Sequence, residues 1–207
     1  GPRACLEGLG CIVRYVSQVC MIIVITQPFF IEGEAERIAQ LLSSGTADIV
    51  HIRKPLDRAD NLARLEQLVK LQRLIQALPP ELYPQLVLHD CFNLAVKYNL
   101  RGIHLNSRNA QPPEGYKGAV SISCHSLDFL AECRRKPYVY MSLSPIFDSI
   151  SKPGYHSAFT AEQIAEARRQ GLIDERVMAL GGVTFDKIDD VLKMGFGGAM
   201  ILGDAWK

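Results

Sequence analysis

From Met21 to the C-terminus, short β-branched or apolar runs alternate with amphipathic helical stretches, and the alternation runs through eight strand-like segments. The runs are MIIVIT (21–26), DIVHIR (48–53), QLVLHD (85–90), GIHL (102–105), AVSISCH (119–125), YVYMSL (138–143), RVMALGG (176–182) and GGAMILG (197–203). Helical periodicity fills most gaps, at 33–44, 59–77, 92–99, 126–135, 161–170 and 184–194. Eight parallel strands with crossover helices close most naturally into a small (β/α)8 (TIM) barrel, because an open doubly wound sheet of this length has fewer strands. Only Asp204–Lys207 follow the last run, so the eighth helix is expected to be missing or rudimentary. A flank left bare in this way calls for cover, either from a second copy in a homodimer or from the N-terminal extension. Residues 1–20 read as that extension or as an appended remnant, and 21–207 as the barrel.

At 207 residues and 48% hydrophobic composition, one domain with a sizeable core is expected. Lys and Arg total 23 against 22 Asp and Glu, so no overall field recruits nucleic acid or an anionic membrane surface. Any anion site must be local. The six cysteines show no CxxC spacing, which fits reduced thiols in a cytoplasm rather than zinc ligands or a stapled secreted scaffold. No apolar run reaches the roughly 18 residues of a membrane span, and residues 1–20 lack the apolar stretch and cleavage site of a signal peptide.

Barrels of this kind place chemistry at the carboxyl ends of their strands, with phosphate often held after strands seven and eight. Gly181 and Gly182 follow the seventh run and Gly203 ends the eighth, where glycines let backbone N–H groups approach an anion. Thr184 is placed to cap the next helix, 184–194, and aim its positive end at the same point. The loop SPIFDSISKPG (144–154) follows the sixth run and brings Ser149, Ser151 and Lys152 to the same rim, as a lid over an anion. Other strand ends add His51 and Arg53, His89 and Asp90, and Ser123 and His125, while His104 lies within a strand and reads as a bystander. A Gly-Gly pair can also be only a turn, and a strand-end histidine only a satisfied structural one.

VHIRKP (50–55), LVLHDCFNLA (86–95), RGIHL (101–105), SISCHS (121–126), SPIFDSISKPG (144–154), ALGGVT (179–184) and GGAMILGDAW (197–206) resemble, in this order, the thiamine phosphate synthases and their paralogues, the thiazole tautomerases. The resemblance implies a small phosphorylated thiazole as substrate. A synthase would join a hydroxymethylpyrimidine diphosphate to it with Mg²⁺, for which Asp90 is the metal ligand that remains. The synthase pattern has Gln-x-Arg-x-Lys after strand two, Asn-Asp after strand three and a second Asp after strand four. Here those places hold His51, Arg53 and Pro55, with Lys54 one residue before the lysine's place, then His89-Asp90, then Asn109. A tautomerase would need no cofactor: it aromatises a thiazole carboxylate phosphate by moving a proton, with His125 as proton carrier and His51 and Arg53 in the HIR stretch. Both readings bind the thiazole phosphate through Ser123, Ser149, Ser151, Lys152, Gly181, Gly182 and Gly203, with His89 beside it. The tautomerase comes first on this pattern, the synthase second, and a non-catalytic thiazole phosphate-binding protein third.

Overall fold

The computed structural model describes residues 20–56, 60–147 and 158–207. Eight parallel strands form one closed barrel in sequence order: β1 (Met21–Ile25), β2 (Ile49–Ile52), β3 (Leu86–Leu88), β4 (Gly102–Leu105), β5 (Ala119–Cys124), β6 (Met141–Leu143), β7 (Val177–Ala179) and β8 (Gly198–Ile201). The ring closes where Met21 to Val24 pair with Gly198 to Ile201. Gly198 permits that closure, since a Cβ there would lie 1.9 Å from the Met21 carbonyl oxygen. The helices are α1 (Glu34–Ser43), α2 (Asn61–Ala77), α3 (Phe92–Lys97), α4 (Leu127–Cys133), α5 (Ala161–Arg169) and α6 (Ile188–Lys193). Side-chain caps start three of them: Asp60 accepts from the Leu62 amide, Ser126 from the Phe129 amide, and Thr160 with Gln163 makes a capping box.

Strand alternation sorts the side chains into two layers. Val24, Val50, Ile52, Leu86, Leu88, Ile103, Leu105, Ile122, Cys124, Met141 and Leu143 point outward into the core shared with the helices. Ile23, Ile25, Ile49, Val87, Tyr140, Met178 and Met200 form a second cluster inside the barrel. The same parity turns His51, His89, His104, Ser121 and Ser123 inward, so the interior is apolar toward β7, β8 and β1 and polar across β2 to β6.

The run at 138–143 is shorter as a strand than its composition suggests: only Met141–Leu143 pair, and Val139 is 48% exposed on the approach from Pro137. After β7 a 3₁₀ turn, Phe185–Lys187, precedes the short α6, in place of one helix over 184–194. Thr184 does not cap it by a side-chain bond to its backbone. Its hydroxyl donates to Asp186 instead, and the Phe185 amide donates to the Asp204 carboxylate at 2.9 Å. After β8 lies a 3₁₀ turn, Gly203–Trp206. That turn is tied down: the Trp206 indole donates to the Ile25 carbonyl at 2.7 Å and Arg37 to the Ala205 carbonyl at 3.1 Å.

Candidate active site

A cavity of about 460 Å³ opens at the carboxyl ends of the strands. On one side it is lined by Arg53 after β2, by His89 after β3, and by Asn106 and Arg108 after β4. Across the barrel lie Gly181 and Gly182 after β7 and Gly203 after β8. Ser123 and His125 from the end of β5 and Ser144 after β6 stand between these two ends, and Gln27, Pro28 and Phe29 after β1 complete the wall. Another groove, of about 530 Å³, lies against α5 and α6, lined by residues such as Ile164, Arg168 and Met194; it has no strand-end residue.

The two ends differ in chemistry. Arg53 and Arg108 form a cationic end; burial pushes the Arg53 guanidinium pKa down, with Arg108 adding to the shift and Asp90 opposing it. Asp90 is 4% exposed and already engaged: Arg108 donates to both carboxylate oxygens, at 3.2 and 3.4 Å, and the Asn109 amide donates at 3.1 Å. Asn106 fixes this loop by accepting from the Arg108 and Asn109 amides. At the opposite end, Gly181 and Gly182 have φ of +100° and +64°, a turn that side-chain-bearing residues rarely adopt. The Leu180 and Gly181 carbonyls accept from the Ile146 and Phe147 amides, which fixes the turn against the start of the β6 loop. This glycine turn leads into the 3₁₀ turn Phe185–Lys187 rather than directly into an α-helix.

Of the residues singled out in the sequence, Arg53, His89, Ser123, His125, Gly181, Gly182 and Gly203 meet in this one cavity. Ser149, Ser151 and Lys152, with most of the expected lid, lie outside the described residues. His51 is not at the rim: it is fully buried within β2, below the cavity. Burial pushes its imidazole pKa well below the usual histidine range, as it does for His89, and takes His104 down to about 3. Lys54 also turns away. Its ammonium is buried against Glu34 at 2.6 Å and donates to the Gln27 and Phe29 carbonyls, so it holds the β1–α1 connection. His125 is exposed, and its Nδ1 lies 3.1 Å from the Ser144 hydroxyl.

Sequence reasoning passed over Arg108, Asn106 and Ser144. Arg108 had a signal, since NSRN follows β4 directly and a cation there faces the strand-three carboxylate across one barrel neighbour. Ser144 had a weaker one, as the last polar residue before Pro145.

A family model described as thiamine monophosphate synthase (TMP-TENI) matches residues 20–203. A thiamine-phosphate synthase of Parasynechococcus marenigrum is 27% identical over 192 residues, which is 90% of this chain and 51% of that protein, so the chain spans about half the length of this relative. A thiamine-phosphate synthase of Halalkalibacterium halodurans is 24% identical over 156 residues, covering 73% of this chain and 70% of the relative. Among solved structures, a thiamine phosphate pyrophosphorylase from Bacteroides thetaiotaomicron superposes with a TM-score of 0.76 at 38% identity, over 90% of this chain and 84% of that one.

Proposed function

The chain belongs to the thiamine monophosphate synthase family, and from that membership we propose that it joins a hydroxymethylpyrimidine diphosphate to a thiazole phosphate with release of pyrophosphate. One observation supports this most: a single cavity has an arginine-lined end and a glycine-lined end on opposite sides of the barrel. Arg53 and Arg108 suit a diphosphate, because guanidinium groups pair bidentately with phosphate oxygens. The amides of Gly181, Gly182 and Gly203 suit a monophosphate. Ser149, Ser151 and Lys152 belong to this reading as further thiazole phosphate ligands, and Ser123 and His125 lie between the two charged ends. The sequence pattern puts the tautomerase first; the relatives named above are synthases or pyrophosphorylases, and they favour the reverse order.

Synthases of this family use Mg²⁺, and the residues here do not make its site. A phosphate-bridging Mg²⁺ favours several hard oxygen ligands. Asp90 is the carboxylate placed for it, both of its oxygens already accept from Arg108, and Asn109 turns its amide nitrogen toward it. The diphosphate charge falls to Arg53 and Arg108. This misfit keeps the tautomerase as a second reading, supported by His125 against Ser144 at the cavity mouth. No helix among the described residues is long and apolar enough to cross a membrane.

The test is product formation. Unmodified protein with the pyrimidine diphosphate and thiazole phosphate should yield thiamine phosphate, and Arg53→Ala should weaken binding of the pyrimidine diphosphate by about 10- to 100-fold, as loss of a charge-assisted pair does. Absence of thiamine phosphate with and without added Mg²⁺, together with isomerisation of the thiazole carboxylate phosphate, would replace the synthase reading by the tautomerase.

A further inference from the structure

The carboxylate after β3 is enclosed by hydrogen-bond donors, and one short loop, residues 106–109, builds the enclosure. Asn106 pins that loop in both directions. Its Nδ2 donates to the His89 and His104 carbonyls at 2.9 and 3.0 Å, and its Oδ1 accepts from the Arg108 and Asn109 amides at 3.1 and 3.2 Å. The backbones of Asn106 and Asn109 also exchange hydrogen bonds, at 3.0 and 3.1 Å. Held in this way, Asn109 Nδ2 donates to the His89 carbonyl at 3.0 Å and to Asp90 Oδ1 at 3.1 Å. Both partners are acceptors, so the orientation of this amide is set: turning it over would place an oxygen against two oxygens. Arg108 adds Nε on Oδ1 at 3.2 Å and Nη2 on Oδ2 at 3.4 Å, a fork on a carboxylate that is 4% exposed.

Three nitrogen donors thus reach the two oxygens of Asp90, and a divalent cation needs the opposite. Mg²⁺ takes oxygen lone pairs in a near-octahedral shell. To enter here it would have to displace Arg108 from both oxygens, turn Asn109 over and rest close to two guanidinium groups. Those groups already repel, since the Arg108 charge adds to the downward shift of the Arg53 pKa. The same donors suit an anion. Arg108 lines the cavity beside Arg53 with a quarter of its side chain exposed, and two guanidiniums against one carboxylate leave positive charge in excess. A guanidinium also grips two phosphate oxygens at once, the task a bridging cation would otherwise perform.

We propose that this end of the cavity takes its diphosphate free of metal, with Arg108 in the part that the family gives to a divalent cation and Asp90 as the residue that positions Arg108. The ligand class is a metal-free diphosphate, either inorganic pyrophosphate or a diphosphate monoester. For that ligand the inference rests on the synthase reading. It reverses the sign of the metal effect: Mg²⁺ associates with pyrophosphate in solution and lowers its charge, so added Mg²⁺ weakens binding to the two arginines instead of strengthening it.

Calorimetric titration of inorganic pyrophosphate into the unmodified full chain tests this, once in EDTA and once with Mg²⁺ in excess over pyrophosphate. Saturable binding is expected in EDTA, with an apparent Kd no lower in Mg²⁺. Absence of binding in EDTA, or a Kd at least about tenfold lower in Mg²⁺, would overturn the proposal. Arg108→Lys keeps a cation beside Asp90 but loses the fork, and should weaken binding in EDTA by about 10-fold; unchanged affinity would remove Arg108 from the site. Asp90→Asn gives opposite signs for the two roles of a carboxylate. By charge alone, removing an anion beside the ligand tightens pyrophosphate binding, whereas releasing Arg108 from its position weakens it, by about 10-fold. Tighter or unchanged binding would end the positioning role of Asp90. Product formation is read separately. Metal-free pyrophosphate binding without thiamine phosphate formation would remove the synthase reading and leave the metal-free site standing, whereas thiamine phosphate formed together with Mg²⁺-dependent pyrophosphate binding would keep the synthase and remove the metal-free site.

Discussion

Gly181 ties the glycine-lined end of the cavity to the fold. Its φ of +100° lies where side-chain-bearing residues are strained, and an added Cβ would stand 2.7 Å from Pro145 Cα. Neither fault can be relieved by rotating a side chain, because the clash is with backbone. Gly181→Ala should therefore destabilise the protein by about 2–4 kcal/mol, the sum of a forced positive φ and local overpacking, read from urea midpoints. A midpoint equal to that of the unmodified protein would mean that the turn relaxes freely. Gly182, at φ +64°, sits in the milder left-handed region that other residues occasionally reach. A bulky residue there should leave the fold largely intact and abolish thiazole phosphate binding, which calorimetry reads directly; retained affinity would put the phosphate elsewhere.

Lys54 shows how an element assigns a side chain its task. In β2, Ile49 and His51 face the barrel interior while Val50 and Ile52 face the helices. The alternation continues past the strand: Arg53 reaches the cavity and Lys54 turns outward to Glu34 at the start of α1. Burial pushes the Lys54 pKa down and the Glu34 pKa up, both toward neutral forms, and the 2.6 Å contact opposes that. One Glu34 oxygen has no hydrogen-bond partner, so the pair is not a net source of stability. Its role is geometric, since Gln27 and Phe29, whose carbonyls Lys54 holds, line the cavity. Lys54→Met should cost about 3–5 kcal/mol by leaving a buried carboxylate alone, and Lys54→Met with Glu34→Leu should recover most of it. Equal costs for the single and double variants would deny the coupling. The period-two pattern that reveals the strands also contains this result: a residue read for its motif, as Lys54 was beside HIR, is better read first for its face. The same parity separates His51, inside the barrel, from the rim to which its strand-end position pointed. What alternation could not reveal is the capture of Asp90 by Arg108 and Asn109, because those residues reach it from a loop whose course the Asn106 hydrogen bonds set. Nor could it show that β7 leads into a 3₁₀ turn, a matter of the Phe185 amide finding Asp204.

Eight strands alternating with helices made the barrel legible, because closure is the arrangement that buries both faces of every strand. The barrel interior then imposes a property on the whole molecule that no single strand shows. Three buried imidazoles, His51, His89 and His104, are held neutral, whereas in the unfolded chain each titrates near its ordinary value of 6.5. Below that pH the unfolded chain takes up protons that the folded one refuses, so stability must fall as pH falls. The loss begins near 6.5 and continues until the folded-state values are reached, for His104 at about 3. Above 6.5 these groups are neutral in both states and contribute no slope. Each imidazole adds at most about 1.4 kcal/mol per pH unit within its own window, and the three contributions have the same sign. Urea midpoints measured from pH 8 to pH 4 should be flat down to about 6.5 and then fall steeply, and His104→Leu, whatever its effect at pH 8, should reduce the slope by about one proton. A midpoint that stays level between pH 6.5 and pH 5 would show that the interior accepts charge.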